Sequence, residues 1–214
     1  MKIAIFLIAA ICAYLLSGVN PAIVLSKLIY HQDIRELGSK NPGFTNFKRV
    51  FGSKYAWFVF VLDILKSVVL CLMFGWLFSA VGLSFQLGVA YTGFFAMLGH
   101  AYPVWYHFEG GKAFLVAAAA IFFIDWRVGL IAMGIMMILL FTVKYMSLSV
   151  IVAAISCPIS LALFGADSWA VIVIVSVSTL FLIYRHKENI KRLLNGTESK
   201  FSLLDKKKKA EKTS

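Results

Sequence analysis

The sequence has few of the residues on which soluble and secreted proteins depend. Only 14% of its 214 residues are charged, and it contains 4 prolines and 3 cysteines, whereas 61% of its residues are hydrophobic and its mean hydropathy is +0.86. Soluble domains are only about half apolar, and disordered or disulfide-rich secreted chains need high charge or dense cysteine. These absences leave an integral membrane protein.

The cysteines show no pattern typical of a metal site or a redox motif. Cys12, Cys71 and Cys157 each lie inside an apolar run, without a CxxC motif and without a nearby histidine. We interpret them as small buried hydrophobic residues. We expect no metal ion and no organic cofactor.

Apolar runs predict an all-α polytopic fold with seven transmembrane helices, near residues 3–25, 56–79, 86–105, 112–124, 128–143, 146–165 and 168–185. The fourth and fifth runs are separated only by Asp125, Trp126 and Arg127. Merged, they would exceed the ~20 residues of an ordinary span and would carry charges near its middle. We expect residues 1–198 to form one membrane domain and residues 199–214 to form a disordered, lysine-rich tail.

Positive charge is concentrated in two regions and predicts the orientation. Of the 21 lysines and arginines, six lie between Lys27 and Lys54 and ten between Arg185 and Lys212. By the positive-inside rule these regions are cytoplasmic, which places the N-terminus outside and the C-terminus in the cytoplasm. No nucleic-acid recognition module accompanies the charge, so we expect no nucleic-acid partner.

The polar loop from Gly38 to Arg49 is the first candidate for binding chemistry. It combines hydroxyl, amide and cationic side chains with two glycines and a proline. Glycine lets the backbone approach a phosphate, and arginine can bind phosphate oxygens in a bidentate manner. The alternative is a solvated turn. The predicted phosphate-binding residues here are Asn41, Gly43, Thr45 and Asn46, beside Ser39 and Arg49.

A second candidate lies at the end of the third predicted span. Gly110, Gly111 and Lys112 precede an apolar run, and such a segment binds anions if it opens a helix. It is not a Walker A motif, because residue 106 is tyrosine and residue 113 is alanine. His100, in an apolar segment, is either a functional group or a packing residue.

Three further pairs have both a functional and a structural interpretation. Asp63 and Lys66 lie one helical turn apart and predict a structural ion pair or a direct ligand contact. Ser147 and Ser149 begin a span and offer either ligand hydroxyls or an N-terminal cap. His186 and Asn189 share a face of a basic helix that is either a binding element or an interfacial anchor. All these groups lie on the predicted cytoplasmic side, which indicates handling of a phosphorylated metabolite beside lipid.

Five motifs in order carry a resemblance to a known family. They are Gly38–Arg49, D-I-L-K at Asp63–Lys66, G-H-A-Y-P with F-E-G-G-K at Gly99–Lys112, Tyr145–Leu148, and R-H-K-E-N-I-K-R-L-L-N-G-T-E at Arg185–Glu198. The sequence resembles the bacterial acyl-phosphate:glycerol-3-phosphate acyltransferases of the PlsY type. The resemblance implies acyl transfer from acyl phosphate to the sn-1 hydroxyl of glycerol 3-phosphate, giving lysophosphatidic acid and phosphate in the bacterial inner membrane.

The resemblance also implies roles for individual residues and partners. Arg49, Lys112 and His186 would hold phosphate charge, and no enzyme base would be needed. The substrates would be acyl phosphate and glycerol 3-phosphate, with membrane lipids and a soluble acyl-phosphate-forming enzyme as further partners. The implied catalytic residues are Ser39, Arg49, His100, Lys112, Ser147, His186 and Asn189, and the implied glycine pair is Gly110 and Gly111.

The sequence departs from the family pattern at four positions. Lys40, Ser67 and Ala113 stand where the family usually has glycine, and Lys144 stands where it usually has arginine. These departures support an alternative hypothesis, a non-catalytic transporter or lipid-binding membrane protein for organic phosphates. A headgroup phosphotransferase is disfavoured because its run of spaced aspartates is absent.

Overall fold

The fold is a bundle of α-helices that follows the apolar runs of the sequence. The computed structural model describes residues 2–201, and within that range it contains ten α-helices, two short 3-10 helices and no β-strand. The α-helices are α1 (Lys2–Ser17), α2 (Pro21–Tyr30), α3 (Phe44–Phe51), α4 (Ser53–Ala80), α5 (Phe85–Ala101), α6 (Phe114–Ile124), α7 (Trp126–Thr142), α8 (Met146–Phe164), α9 (Trp169–Arg185) and α10 (Lys187–Leu194).

The first predicted span, residues 3–25, falls within one candidate span, Lys2–Tyr30, which consists of two helices, α1 and α2, separated by residues 18–20. Asn20 begins α2, because its Oδ1 accepts hydrogen bonds from the backbone N–H groups of Ala22 (2.9 Å) and Ile23 (3.1 Å). Pro21 occupies the first turn of α2, where its missing N–H costs nothing. Capping chemistry therefore divides a run that composition alone presents as continuous.

The break predicted between the fourth and fifth runs is confirmed. Asp125 separates α6 from α7 and caps α7, with its Oδ1 accepting from the backbone N–H of Arg127 at 2.8 Å. The same carboxylate pairs with the Arg127 guanidinium at 2.7 Å. A single residue, Asp125, thus separates the end of one helix from the start of the next.

Helix length and exposed surface agree with a membrane environment. Within residues 2–201, three segments are long and apolar enough to cross a membrane, namely Lys2–Tyr30, Ser53–Ala80 and Met146–Phe164, and the bent pair α9–α10 makes a fourth. Helices α6 and α7 are shorter apolar helices. Large apolar side chains such as Trp76 and Ile138 stand 68% and 65% exposed, as expected for lipid contact. The count of seven spans stays a prediction.

Helices α4 and α5 form the centre of the bundle, in contact with α1 and α6. Close approach depends on Gly99 of α5, since a Cβ there would lie 2.1 Å from the carbonyl oxygen of Tyr14 in α1. At one end of the bundle the α4–α5 and α8–α9 turns meet, with Ser84 Oγ donating to Asp167 Oδ2 at 2.6 Å. The polar loops collect at the other end, which we call the site end.

The first residues of the predicted tail belong to the site end. Ser199 Oγ accepts a hydrogen bond from the Arg49 guanidinium at 3.1 Å, and the backbone N–H of Phe201 donates to the Lys144 carbonyl oxygen at 2.7 Å. Residues 199–201 therefore pack against the membrane domain. The rest of the predicted tail, residues 202–214, lies outside the described residues.

Candidate active site

A cavity of about 810 Å³ lies at the site end. Its walls come from the loop before α3, from α4 and α5, from the starts of α6 and α8, and from the segment that follows α9. Gly110, Gly111 and Lys66 lie outside its lining. The predicted site residues that line it are Ser39, Arg49, His100, Lys112, Ser147, His186 and Asn189, with Asn41, Gly43, Thr45, Asn46 and Asp63.

Asn46 organises the first polar loop. Its side chain is 1% exposed, and its Oδ1 accepts from the backbone N–H of Ser39 at 2.8 Å. Its Nδ2 donates to the carbonyl oxygens of Leu37 (3.0 Å) and Ile34 (3.4 Å). Both ends of the amide are used within the loop, which favours a structural role for Asn46, and direct phosphate binding by it stays a prediction. Asn46 presents Ser39 to the cavity.

The backbone amides of the glycine pair are also used inside the protein. The N–H of Gly110 donates to the Ala101 carbonyl oxygen at 3.2 Å, and that of Gly111 donates to the His100 carbonyl oxygen at 3.0 Å. Helix α6 begins only at Phe114. The prediction that this pair opens a helix and binds an anion through free amides is therefore wrong.

Arg185 holds the same loop from the opposite side. Its guanidinium donates to the carbonyl oxygens of Gly110 at 3.2 Å and Gly111 at 2.9 Å, and it lies 4.6 Å from the ring centroid of Tyr102. The loop is fixed through both its N–H and its C=O groups. What it contributes to the cavity is the side chain of the next residue, Lys112.

A hydrogen-bond network joins Lys112 to the segment after α9. The Lys112 ammonium donates to Asn189 Oδ1, and Asn189 Nδ2 donates to Glu198 Oε1 at 2.7 Å. The same oxygen accepts from Ser147 Oγ at 2.7 Å, and Glu198 Oε2 accepts from Arg192 Nε at 2.7 Å. Groups from three separate parts of the chain thus meet at one point of the cavity wall.

The cap interpretation of the two serines is wrong. Ser147 donates into this network, and Ser149 Oγ donates to the Tyr145 carbonyl oxygen at 2.9 Å. Tyr145, at the cap position of α8, forms no side-chain cap hydrogen bond. Ser147 therefore belongs to the cavity, whereas Ser149 is a helix-internal hydroxyl.

The site end gathers cations, and their ionisation depends on burial. Burial lowers the pKa of Lys112 to about 8, and the charge of Arg192 adds to the effect. Burial alone would raise the pKa of Glu198, but hydrogen bonds from Asn189, Ser147 and Arg192 together hold it below its ordinary value. At neutral pH the network therefore contains an ammonium, a guanidinium and one carboxylate, with net positive charge.

Burial favours the neutral form of His186, and its role as a holder of phosphate charge stays a prediction. It is 4% exposed, and burial lowers its pKa to about 4. Its Nδ1 lies 2.8 Å from the Leu182 carbonyl oxygen. Because a carbonyl oxygen only accepts, Nδ1 carries the proton, and the lone pair is on Nε2. His186 is thus suited to accept a hydrogen bond from a hydroxyl group.

An apolar cavity of about 430 Å³ adjoins the polar one. Its lining is almost entirely aliphatic and aromatic, drawn from α4 to α9. The residues that line both cavities are Phe60, Phe114, Leu115, Met136 and Val150. A molecule with a charged head and an apolar chain could place each part in a matching environment.

Three of the four departures from the family pattern stand at strained backbone positions. Lys40, Ala113 and Lys144 have φ angles of 59°, 60° and 62°, a left-handed conformation that glycine adopts without cost. Ser67 differs, because it is fully buried and its Oγ donates to the Val116 carbonyl oxygen at 2.8 Å. The chain accommodates these side chains without losing the arrangement of the cavity.

Sequence reasoning missed three residues of the site: Glu198, Arg192 and Arg185. Glu198 was included in the last motif but was given no role, and both arginines were interpreted as part of a basic helix. The signal for Glu198 was a single acid close after a run of cations. The 57° bend between α9 and α10, together with Gly196 at φ 67°, returns Glu198 to the cavity.

Comparisons with known proteins agree with this geometry. A sequence model described as glycerol-3-phosphate acyltransferase matches residues 7–196. The chain is 36% identical over 204 residues to a glycerol-3-phosphate acyltransferase of Lactiplantibacillus plantarum, covering 93% of this chain and 92% of that protein. It is 36% identical over 195 residues to one of Burkholderia pseudomallei, covering 91% and 94%.

Two solved structures share the fold. The first is a crystal structure of PlsY, an integral membrane glycerol 3-phosphate acyltransferase, in its glycerol 3-phosphate form, with a TM-score of 0.82 and 36% identity over 92% of this chain and 96% of that one. The second is the lysophosphatidic acid form, with a TM-score of 0.79 and 34% identity over 94% and 97%. Similarity of this extent covers the whole helical bundle.

Proposed function

Because the chain belongs to the glycerol-3-phosphate acyltransferase family, we propose that it transfers a fatty acyl group from acyl phosphate to the sn-1 hydroxyl of glycerol 3-phosphate. The products are lysophosphatidic acid and inorganic phosphate. The observation that carries the proposal is the junction of a cationic cavity with an apolar one, across shared lining residues. The reaction joins a phosphate ester to an acyl chain, and it requires both environments side by side.

Phosphate binding is assigned to the cations that face the polar cavity. Lys112 is held in the hydrogen-bond network, and Arg49 lies at the rim beside Ser199. Charge-assisted hydrogen bonds from such groups to phosphate oxygens are stronger than neutral ones. Ser39 and Asn41 line the same cavity and supply neutral polar groups for the glycerol moiety or the donor.

The chemical step is attack of the sn-1 hydroxyl oxygen on the acyl carbonyl carbon. The new ester bond forms, the bond between the carbonyl carbon and the phosphate oxygen breaks, and the hydroxyl proton leaves with the phosphate. His186 Nε2 accepts a hydrogen bond from the attacking hydroxyl and orients it. The protein then accelerates the reaction by positioning and by charge stabilisation.

The acyl chain occupies the apolar cavity between the helices. Each buried methylene contributes about 0.8 kcal/mol to binding, so the chain supplies much of the donor's affinity. Because the cavity is lined by α4 to α9, the donor enters laterally from the lipid phase. A water-soluble carrier would not be needed to deliver it into the site.

For the membrane arrangement we infer seven spans, with the N-terminus outside and the site end in the cytoplasm of a bacterial inner membrane. The basic loop and the basic C-terminal helix at the site end support this orientation. A cytoplasmic site is accessible to glycerol 3-phosphate and to a soluble enzyme that forms acyl phosphate.

The test is an assay with purified protein, labelled glycerol 3-phosphate and three acyl donors: acyl phosphate, acyl-CoA and acyl carrier protein. Lysophosphatidic acid is expected only with acyl phosphate, and Arg49→Ala is expected to lower the rate about tenfold or more because it removes a phosphate contact. Lys191→Ala, an exposed cation outside the cavity lining, is the matched control and should leave the rate unchanged.

Two results would contradict the proposal. One is the absence of lysophosphatidic acid with acyl phosphate, and the other is an equal rate in Arg49→Ala and wild type. Uptake of an organic phosphate into proteoliposomes without any acyl transfer would instead favour the non-catalytic transporter.

A further inference from the structure

Three ionisable residues form a buried cluster beside the cavity, and the proposed reaction assigns none of them a chemical step. Asp63 and His100 are 2% and 4% exposed. The Lys66 ammonium lies 2.9 Å from Asp63 Oδ1 and 3.0 Å from His100 Nδ1, and His100 Nδ1 lies 3.4 Å from the same carboxylate oxygen. Burying ionisable groups within a membrane protein costs free energy, so a cluster of this kind indicates a functional role.

Lys66 joins the members of the cluster. Its ammonium lies within hydrogen-bond distance of Asp63 Oδ1 at 2.9 Å and of His100 Nδ1 at 3.0 Å. Lys66 also donates to the carbonyl oxygens of Ser17 (2.8 Å) and Val19 (3.0 Å) at the end of α1. The cluster therefore ties α1, α4 and α5 together and fixes the orientation of the ring.

The Nε2 edge of the ring lies against the glycine loop. A Cβ on Gly111 would lie 2.1 Å from His100 Nε2, and a Cβ on Gly110 would lie 2.1 Å from the His100 carbonyl oxygen. The Gly111 N–H also donates to that carbonyl oxygen at 3.0 Å. The loop can rest on His100 only because both positions are glycine.

We propose that Asp63, Lys66 and His100 are positioning residues that set the place of Lys112 in the cavity. Asp63 and Lys66 hold the imidazole ring, the ring supports Gly111, and Gly111 directs the next residue toward Asn189 and the substrate phosphate. This inference rests on the proposed function for the identity of the ligand, glycerol 3-phosphate. It replaces the prediction of His100 as a catalytic residue and gives the Asp63–Lys66 pair a role beyond charge neutralisation.

A double-mutant cycle tests the contact between the ring and the loop. The variants are His100→Ala, Gly111→Ala and the double variant, and the measurements are the Kd for glycerol 3-phosphate by calorimetry in detergent, together with KM and kcat. Each single variant is expected to weaken binding about tenfold. The double variant should be no weaker than His100→Ala, because removing the ring also removes its clash with the new methyl group.

Two outcomes of the cycle would overturn the proposal. In one, the effects multiply to about a hundredfold, which would mean that the two residues act independently. In the other, His100→Ala lowers kcat with Kd and KM unchanged, which is the signature of a group that acts in the chemical step. Since Kd is measured without acyl transfer, a wild-type protein that binds but does not react would contradict the proposed function while the cycle still decides this inference.

A second arm leaves His100 and Gly111 intact. Asp63→Asn with Lys66→Met removes both buried charges together, so no unpaired charge remains, and it is expected to weaken glycerol 3-phosphate binding about fivefold or more with kcat retained. The matched control is Asp125→Asn with Arg127→Gln, which removes the ion pair between α6 and α7 and should leave Kd unchanged. Wild-type affinity in the Asp63/Lys66 variant would refute the proposal.

Discussion

The Asp125–Arg127 pair and the Lys112 network, at opposite ends of the bundle, use polar contacts in different ways. At the end that carries Asp125, the aspartate pairs with Arg127, two residues away, and the pair ends one helix and begins the next. At the site end, Lys112 bonds to Asn189, 77 residues away, and Ser147 bonds to Glu198, 51 residues away. The Asp125–Arg127 pair fixes a helix boundary, whereas the two long-range contacts assemble one wall of the cavity.

The largest expected effect comes from removing the Lys112 cation, and removal of the Arg127 cation at the opposite end is the comparison. Lys112→Ala should lower kcat/KM at least about 100-fold, because it deletes a preorganised charge that faces the substrate phosphate. Arg127→Ala should change kcat/KM less than about twofold, since an exposed ion pair contributes little. Steady-state rates in the same detergent or lipid preparation measure both. Equal losses in the two variants would remove the functional distinction between the ends.

The next effect is a pH dependence that only the site end should show. Lys112, with a pKa of about 8, is charged below that pH and loses its charge above it. Affinity for glycerol 3-phosphate should therefore fall as pH rises through 8, by up to about tenfold per unit. In Lys112→Arg the fall should move to much higher pH, because the guanidinium stays protonated. The test is to measure the Kd for glycerol 3-phosphate by calorimetry between pH 7 and 10. A wild-type Kd that does not change over this range would contradict the prediction.

The smallest effect concerns local backbone strain next to the site. Ala113 has a φ angle of 60°, a conformation that costs an L-residue about 1–2 kcal/mol. Ala113→Gly should raise the melting temperature by about 2–4 °C, corresponding to about 1 kcal/mol. Ala162→Gly, at an exposed position within α8, is the control and should lower it slightly. A lower melting temperature in Ala113→Gly would show that the strain is compensated elsewhere.

The sequence predicted helix positions correctly where composition or nearby charged residues determine them. The break at Asp125 is an example, because a merged run would exceed the length of one span and would place charges near its middle. The break near Asn20 was missed, since an apolar run conceals a single capping amide. Within the candidate site, residue types that suit phosphate were found because their chemistry is independent of the fold.

Direct and indirect roles were harder to separate. Asn46 and the Gly110–Gly111 amides have the chemistry of anion ligands, but backbone groups of nearby residues in the chain use their hydrogen-bonding groups. Glu198 was given no role, because a carboxylate in a cationic site is understandable only when its donors Ser147 and Asn189 are known. Whether a polar group faces a ligand or the protein depends on contacts between distant segments.

The sequence by itself determined that this protein is helical and apolar and where its positive charge is concentrated, and it predicted which side chains bind phosphate. These properties follow from composition, periodicity and residue chemistry. Only the tertiary structure decided that Lys112 and Glu198 share one network, that burial favours the neutral form of His186, and that His100 lies against the glycine loop. The physical reason is that burial and hydrogen-bond partners, which set charge and orientation, come from residues far apart in the chain.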